Sequence, residues 1–97
     1  MDNQKRQPTL EEARNAIQEA DAAMAVLFQK RMAAVRDVAA YKKAQGLPVF
    51  DPVQEQRVIA RNMSHITDDD IRDYYLQFIK YTKELSKQYQ ENFMREK

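Results

Sequence analysis

The chain has 97 residues, enough for one hydrophobic core and too few for two independent ones. Hydrophobic residues make up 43% of it and charged residues 32%, with one Gly and three Pro; because turns and hairpins draw on the backbone freedom of Gly and Asn, an all-α fold is expected. Sixteen Lys and Arg against fifteen Asp and Glu leave a formal net charge of +1, without the basic excess that a nucleic-acid partner would demand.

In chain order, the opening MDNQKRQPTL lacks the apolar stretch of a signal peptide. Residues 1–8 are expected to be a disordered N-terminus of a single domain covering 1–97. With no Cys and no run of about 18 apolar residues, a cytoplasmic protein that uses neither disulfides nor a membrane is expected.

Thr9 and Glu12 have the spacing of a capping box, in which the Thr hydroxyl and the Glu carboxylate each accept from a free amide at a helix start. From Leu10 to about Ala44 there is no Pro or Gly. Leu10, Ala13, Ile17, Met24, Leu27, Phe28, Val35, Val38 and Ala39 recur mostly at spacings of three, four and seven, so a long helix should run to Gly46. At about 1.5 Å per residue it would extend some 52 Å, whereas a compact chain of this length has a radius of gyration near 13 Å. Two shorter helices cannot cover such a stripe. A second copy, packing its long helix alongside, would do so through a twofold contact, and an intertwined homodimer is predicted.

Two cations interrupt the stripe. Arg31, Val35, Val38 and Lys42 lie at spacings of four, three and four, which brings Lys42 to within about 20° of Arg31. Both could snorkel, laying their stems on apolar neighbours while their heads reach water, or they could face a common ligand. Arg14 lies about 25 Å from Arg31 along the axis, so the two cannot share a small site within one chain. In an antiparallel dimer Arg14 of one subunit would approach Arg31 of the other; alternatively it is a surface charge beside Glu11.

Beyond the break, Asp51 followed by Pro52 marks the start of a second helix, ending near residues 62–65. Asp51 and Glu55 both sit at its N-terminal end, where carboxylates suit the helix dipole. Thr67 and Asp70 suggest a further capping box, and Ile71, Tyr74, Tyr75, Phe78, Ile79, Thr82 and Leu85 continue a third helix to about Phe93. In it Tyr75, Ile79, Thr82, Ser86 and Gln90 form one row that turns polar towards its end. If the row faces the core, each polar group needs a partner, because an unpaired one costs about 1 to 3 kcal/mol. A bound polar ligand is one such partner.

Taken together, Arg14, Ile17, Asp21, Leu27, Arg31, Tyr41, Lys42, Pro48, Val49, Asp51, Glu55, Ser86 and Gln90 resemble the pattern of the all-helical (AroQ-type) chorismate mutases, over roughly residues 10–92. The resemblance implies a dimer of three-helix subunits, one helix long, one short and one medium, whose sites are each completed by an Arg from the other subunit. It implies that Arg31 and Arg14 of the partner subunit bind the two carboxylates of chorismate, with Ser86 assisting. Lys42 and Gln90 would bond the ether oxygen of the breaking bond, Glu55 would accept from the ring hydroxyl, and Asp51 would shape the adjoining loop. One position departs from the pattern: many members carry Arg immediately before the Glu, where this chain has Gln54. Arg57, three residues on, could replace part of that charge.

Conversion of chorismate to prephenate is a unimolecular rearrangement, so it needs no nucleophile, no metal and no cofactor, and none is expected here. The chain has no Cys, a single His, and no residue cluster with metal-ligand spacing. His65 reads as a loop residue. Two alternatives stay open at this level: an isochorismate pyruvate lyase on the same fold, and a non-catalytic helical dimerisation or regulatory module.

Overall fold

The computed structural model describes residues 7–96. The first six residues of the expected disordered N-terminus lie outside the described residues; Gln7 and Pro8 are exposed and carry no regular structure. The protein is all-α. Its elements are α1 (Leu10–Gln45), α2 (Pro52–Met63), a short 3₁₀ turn (Asp69–Ile71) and α3 (Arg72–Arg95), with no strand among the described residues.

The start of α1 is the expected capping box. Glu12 N donates to Thr9 Oγ1 at 3.0 Å, and Thr9 N donates to Glu12 Oε1 at 2.9 Å, so two of the free amides of the first turn are satisfied reciprocally. The helix ends at Gly46, whose φ of 69° lies in the left-handed region that glycine enters without a Cβ penalty. Leu47 N donates to Lys42 O at 2.8 Å and Gly46 N to Lys43 O at 3.3 Å. That paired closure is a Schellman motif, satisfying two carbonyls that the helix leaves open.

The start of α2 also follows the sequence. Asp51 adopts an extended backbone and its side chain accepts from Val53 N and Gln54 N, while Pro52 occupies the first turn. The start of the third helix differs from expectation. Its cap is Asp68 rather than Thr67: the Asp68 carboxylate accepts from Asp70 N at 2.9 Å and opens the 3₁₀ turn that leads into α3. A short carboxylate bonds the amide two residues on and closes a tight turn, which moves the start one residue along. The helix then runs to Arg95, two residues beyond the expected end.

The chain divides into two compact units, Met1–Arg31 and Met32–Lys97. Within the first, residues 7–30 are all exposed, including Leu10, Ile17, Met24, Leu27 and Phe28, with Leu27 at 60%. Within the second, α2 packs on α3. Tyr75 Oη donates to Asn62 Oδ1, and Arg72 donates to the carbonyls of Met63 and Ile66, tying off the end of α2. The last turns of α1 meet the end of α3 around Phe93, whose ring lies under the Arg36 guanidinium and the Lys43 ammonium at 5.3 and 5.4 Å. Lys43 Nζ also donates to the carbonyls of Phe93 and Glu96. Ala39, between those cations at helical spacings of three and four, is fully buried.

Candidate active site

In the second unit, the polar row of α3 faces the core. Ile79 and Ser86 are each 5% exposed and Thr82 is 9% exposed. Backbone carbonyls one turn earlier accept the two hydroxyl protons: Thr82 Oγ1 donates to Phe78 O at 2.8 Å, and Ser86 Oγ to Thr82 O at 3.0 Å. Gln90 continues the row one turn on. Its Oε1 is buried and has no hydrogen-bond partner among the described residues, a condition that folded proteins rarely tolerate without a reason.

The loop after α1 and the start of α2 are held against this part of α3. Lys42 Nζ donates to Val49 O at 2.7 Å, so the loop secures the side chain of Lys42 as well as its backbone carbonyl. The next residue, Phe50, carries the Lys87 ammonium 5.5 Å from its ring centroid. Glu55, in the first turn of α2, pairs with Lys83 at 3.3 Å from Oε1 to Nζ. Residues 83 and 87 flank Ser86 and stand within two turns of Gln90. Loop, α2 start and α3 row therefore meet over one stretch of α3; Glu55, Ser86 and Gln90 belong to these elements, and Lys42, at the end of α1, is bonded to the loop.

Asp51 serves there as a helix cap, its Oδ1 taken by two backbone amides. Gln54 and Arg57 are exposed, and the cation beside Glu55 is Lys83 of α3. Lys83 was not among the residues singled out from sequence. Its signal was available: Ile79, Lys83, Ser86 and Gln90 follow spacings of four, three and four, the repeat of a buried helical stripe. His65 is exposed in the turn after α2.

In the first unit, Arg14 is exposed on α1, and a shallow groove beside it is lined by Leu10, Glu11, Asn15, Ile17 and Gln18. The groove is the open face of one helix and has no second wall. Arg31, the last residue of that unit, is half-buried. Among the described residues no group of three His, Cys, Asp or Glu side chains is placed to hold a metal ion, and no helix is long and apolar enough to cross a membrane.

What this arrangement offers chemically is a set of donors and cations held in place. Lys42 has two ammonium protons left after its bond to Val49, and the Glu55 carboxylate retains acceptor capacity after pairing with Lys83. Such a set suits a polar, anionic ligand. Comparison with protein families gives the corresponding result: the model for chorismate mutase type II matches residues 13–96. The chain belongs to the type II, all-helical chorismate mutase family. Comparisons with curated proteins and with solved structures each return no match.

Proposed function

We propose that the protein is a chorismate mutase that rearranges chorismate to prephenate on the way to phenylalanine and tyrosine. On this reading it is a single cytoplasmic domain, active as a homodimer. The observation that carries it is the buried end of Gln90. An amide at the end of a buried polar row, whose buried oxygen has no hydrogen-bond partner among the described residues, is accounted for when a polar ligand supplies its partner. Turning the amide by about 180° about its last torsion presents NH₂ instead of Oε1 at that position, which is the donor that an ether oxygen requires.

The reaction asks for two things, restriction of a flexible dianion to its compact reactive conformer and stabilisation of charge on the ether oxygen as its bond breaks. Arg31 and Arg14 of the partner subunit supply the first. Their planar guanidinium groups can hold carboxylates by paired hydrogen bonds. Lys42 and Gln90 supply the second: an ammonium bonded to an oxygen that becomes more negative stabilises the transition state more than the ground state, and so raises turnover.

Glu55 accepts from the ring hydroxyl and Asp51 keeps the start of α2 in place for it. Ser86 assists at a carboxylate. Its single hydroxyl proton would then have to leave the Thr82 carbonyl, so its contribution to binding is small.

The test is to follow chorismate loss and prephenate formation with purified protein, beside Arg31→Ala and an isochorismate control. Rapid conversion that the substitution abolishes is the expected result. Release of pyruvate from isochorismate alone would replace this reading with a lyase; inertness towards both would favour a non-catalytic helical module.

A further inference from the structure

Lys83 stands out among the charges of α3. Its side chain is only 13% exposed, whereas Lys side chains ordinarily reach water. It is held by Glu55, whose side chain is 36% exposed, at 3.3 Å. Seven residues at about 100° each place Lys83 and Gln90 within roughly 20° of one another on the helix. The cation therefore lies on the same inward stripe as Ile79, Ser86 and the unpartnered Gln90 oxygen. A surface ion pair contributes little and would not account for an ammonium in that stripe.

We infer that Lys83 is a positioning residue of the mutase site, acting through Glu55. The inference rests on the reading of the protein as a chorismate mutase. Chorismate carries two carboxylates, and a bare Glu55 carboxylate would add a third negative charge beside them, at a place where half-burial weakens screening. Lys83 offsets that charge. It also holds one oxygen of Glu55 from a different helix, which sets the direction in which the carboxylate can accept from the ring hydroxyl. The ion pair thus lets an anion serve as hydrogen-bond acceptor in a site built for a dianion.

The dependence on Glu55 is what separates this role from a direct contact with substrate or a purely structural one. Lys83→Met keeps the length and apolar stem of the side chain and removes the charge. With the wild type active on chorismate, KM should rise about tenfold and kcat change less than about threefold, and Lys83→Arg should recover most of the loss. In a Glu55→Gln background, where no carboxylate remains to be offset, Lys83→Met should have no further effect on KM. Thermal unfolding of each variant shows whether it is folded.

An unchanged KM in a folded Lys83→Met variant would overturn the inference while leaving the mutase reading intact. An equal KM rise in both backgrounds would overturn it too, because Lys83 would then act on substrate without Glu55. A wild type inert towards chorismate would remove the mutase reading and this inference with it, and the wild-type assay alone identifies that case.

Discussion

At Lys42 the same loop holds the backbone and the side chain: the carbonyl accepts from Leu47 N, and Nζ donates to Val49 O. The ammonium is thereby restrained before any ligand arrives, and little of its rotamer freedom remains to be lost on binding. In Lys42→Ala, kcat should fall by about a hundredfold to a thousandfold, as when a single donor to a developing oxyanion is removed, with a much smaller change in KM. Steady-state kinetics check it, and a loss confined to KM would refute the ether-oxygen role. Gln90 leads to the opposite pairing of stability and activity. Its buried oxygen has no partner among the described residues, so Gln90→Leu should raise the free energy of unfolding by about 1 kcal/mol while lowering kcat. Urea denaturation and the chorismate assay on one preparation test both halves. A variant that is less stable and fully active would contradict the account of that side chain.

At the scale of elements, the break between α1 and α2 is built from two local devices. Gly46 turns the chain in the left-handed region, and Asp51 restarts it by capping two amides. Beyond Gly46 and its two chain neighbours, no heavy atom of the described residues lies within 4 Å of where a Cβ at residue 46 would be, so Gly46→Ala meets backbone strain without a steric clash. It should destabilise the fold by about 1 to 2 kcal/mol. Asp51→Ala should cost about 1 kcal/mol through loss of the cap; because the cap sets the position of Glu55 one turn later, KM should rise as well. Shifts in denaturation midpoint with unchanged slope would register the stability terms. The Phe93 cluster anchors the other side of the break, where Arg36 and Lys43 stack on its ring.

For the whole molecule, the governing fact is the exposure of residues 7–30, with Leu10, Ile17, Met24, Leu27 and Phe28 all open to solvent. Soluble monomers rarely leave an apolar stripe of that extent uncovered, and a second copy of the chain would bury it. Sedimentation equilibrium should return twice the mass of 11.5 kDa. If Arg14 crosses to the other subunit, mixing inactive Arg14→Ala with inactive Lys42→Ala protein should restore part of the activity, since one site of the heterodimer would then be intact. No recovery despite demonstrated subunit exchange would place Arg14 outside the site.

The sequence by itself determined the all-α class, the Thr9–Glu12 capping box, the end at Gly46 and the start at Asp51 and Pro52. The class follows from composition and helical period, and the three helix ends from residues within five positions of one another, a distance over which propensity and capping act without help from packing. The choice of Asp68 over neighbouring Thr67 was not legible, because both can cap and the following 3₁₀ turn selected between them. Helical periodicity placed Ser86 and Gln90 on one row, but burial of the Gln90 oxygen depends on what packs over it. The pairing of Lys83 with Glu55 joins two helices, and the bond from Lys42 Nζ to Val49 O depends on the path of a loop. Such contacts were decided by tertiary structure, since pattern within one helix gives the direction of a side chain but not what it will meet.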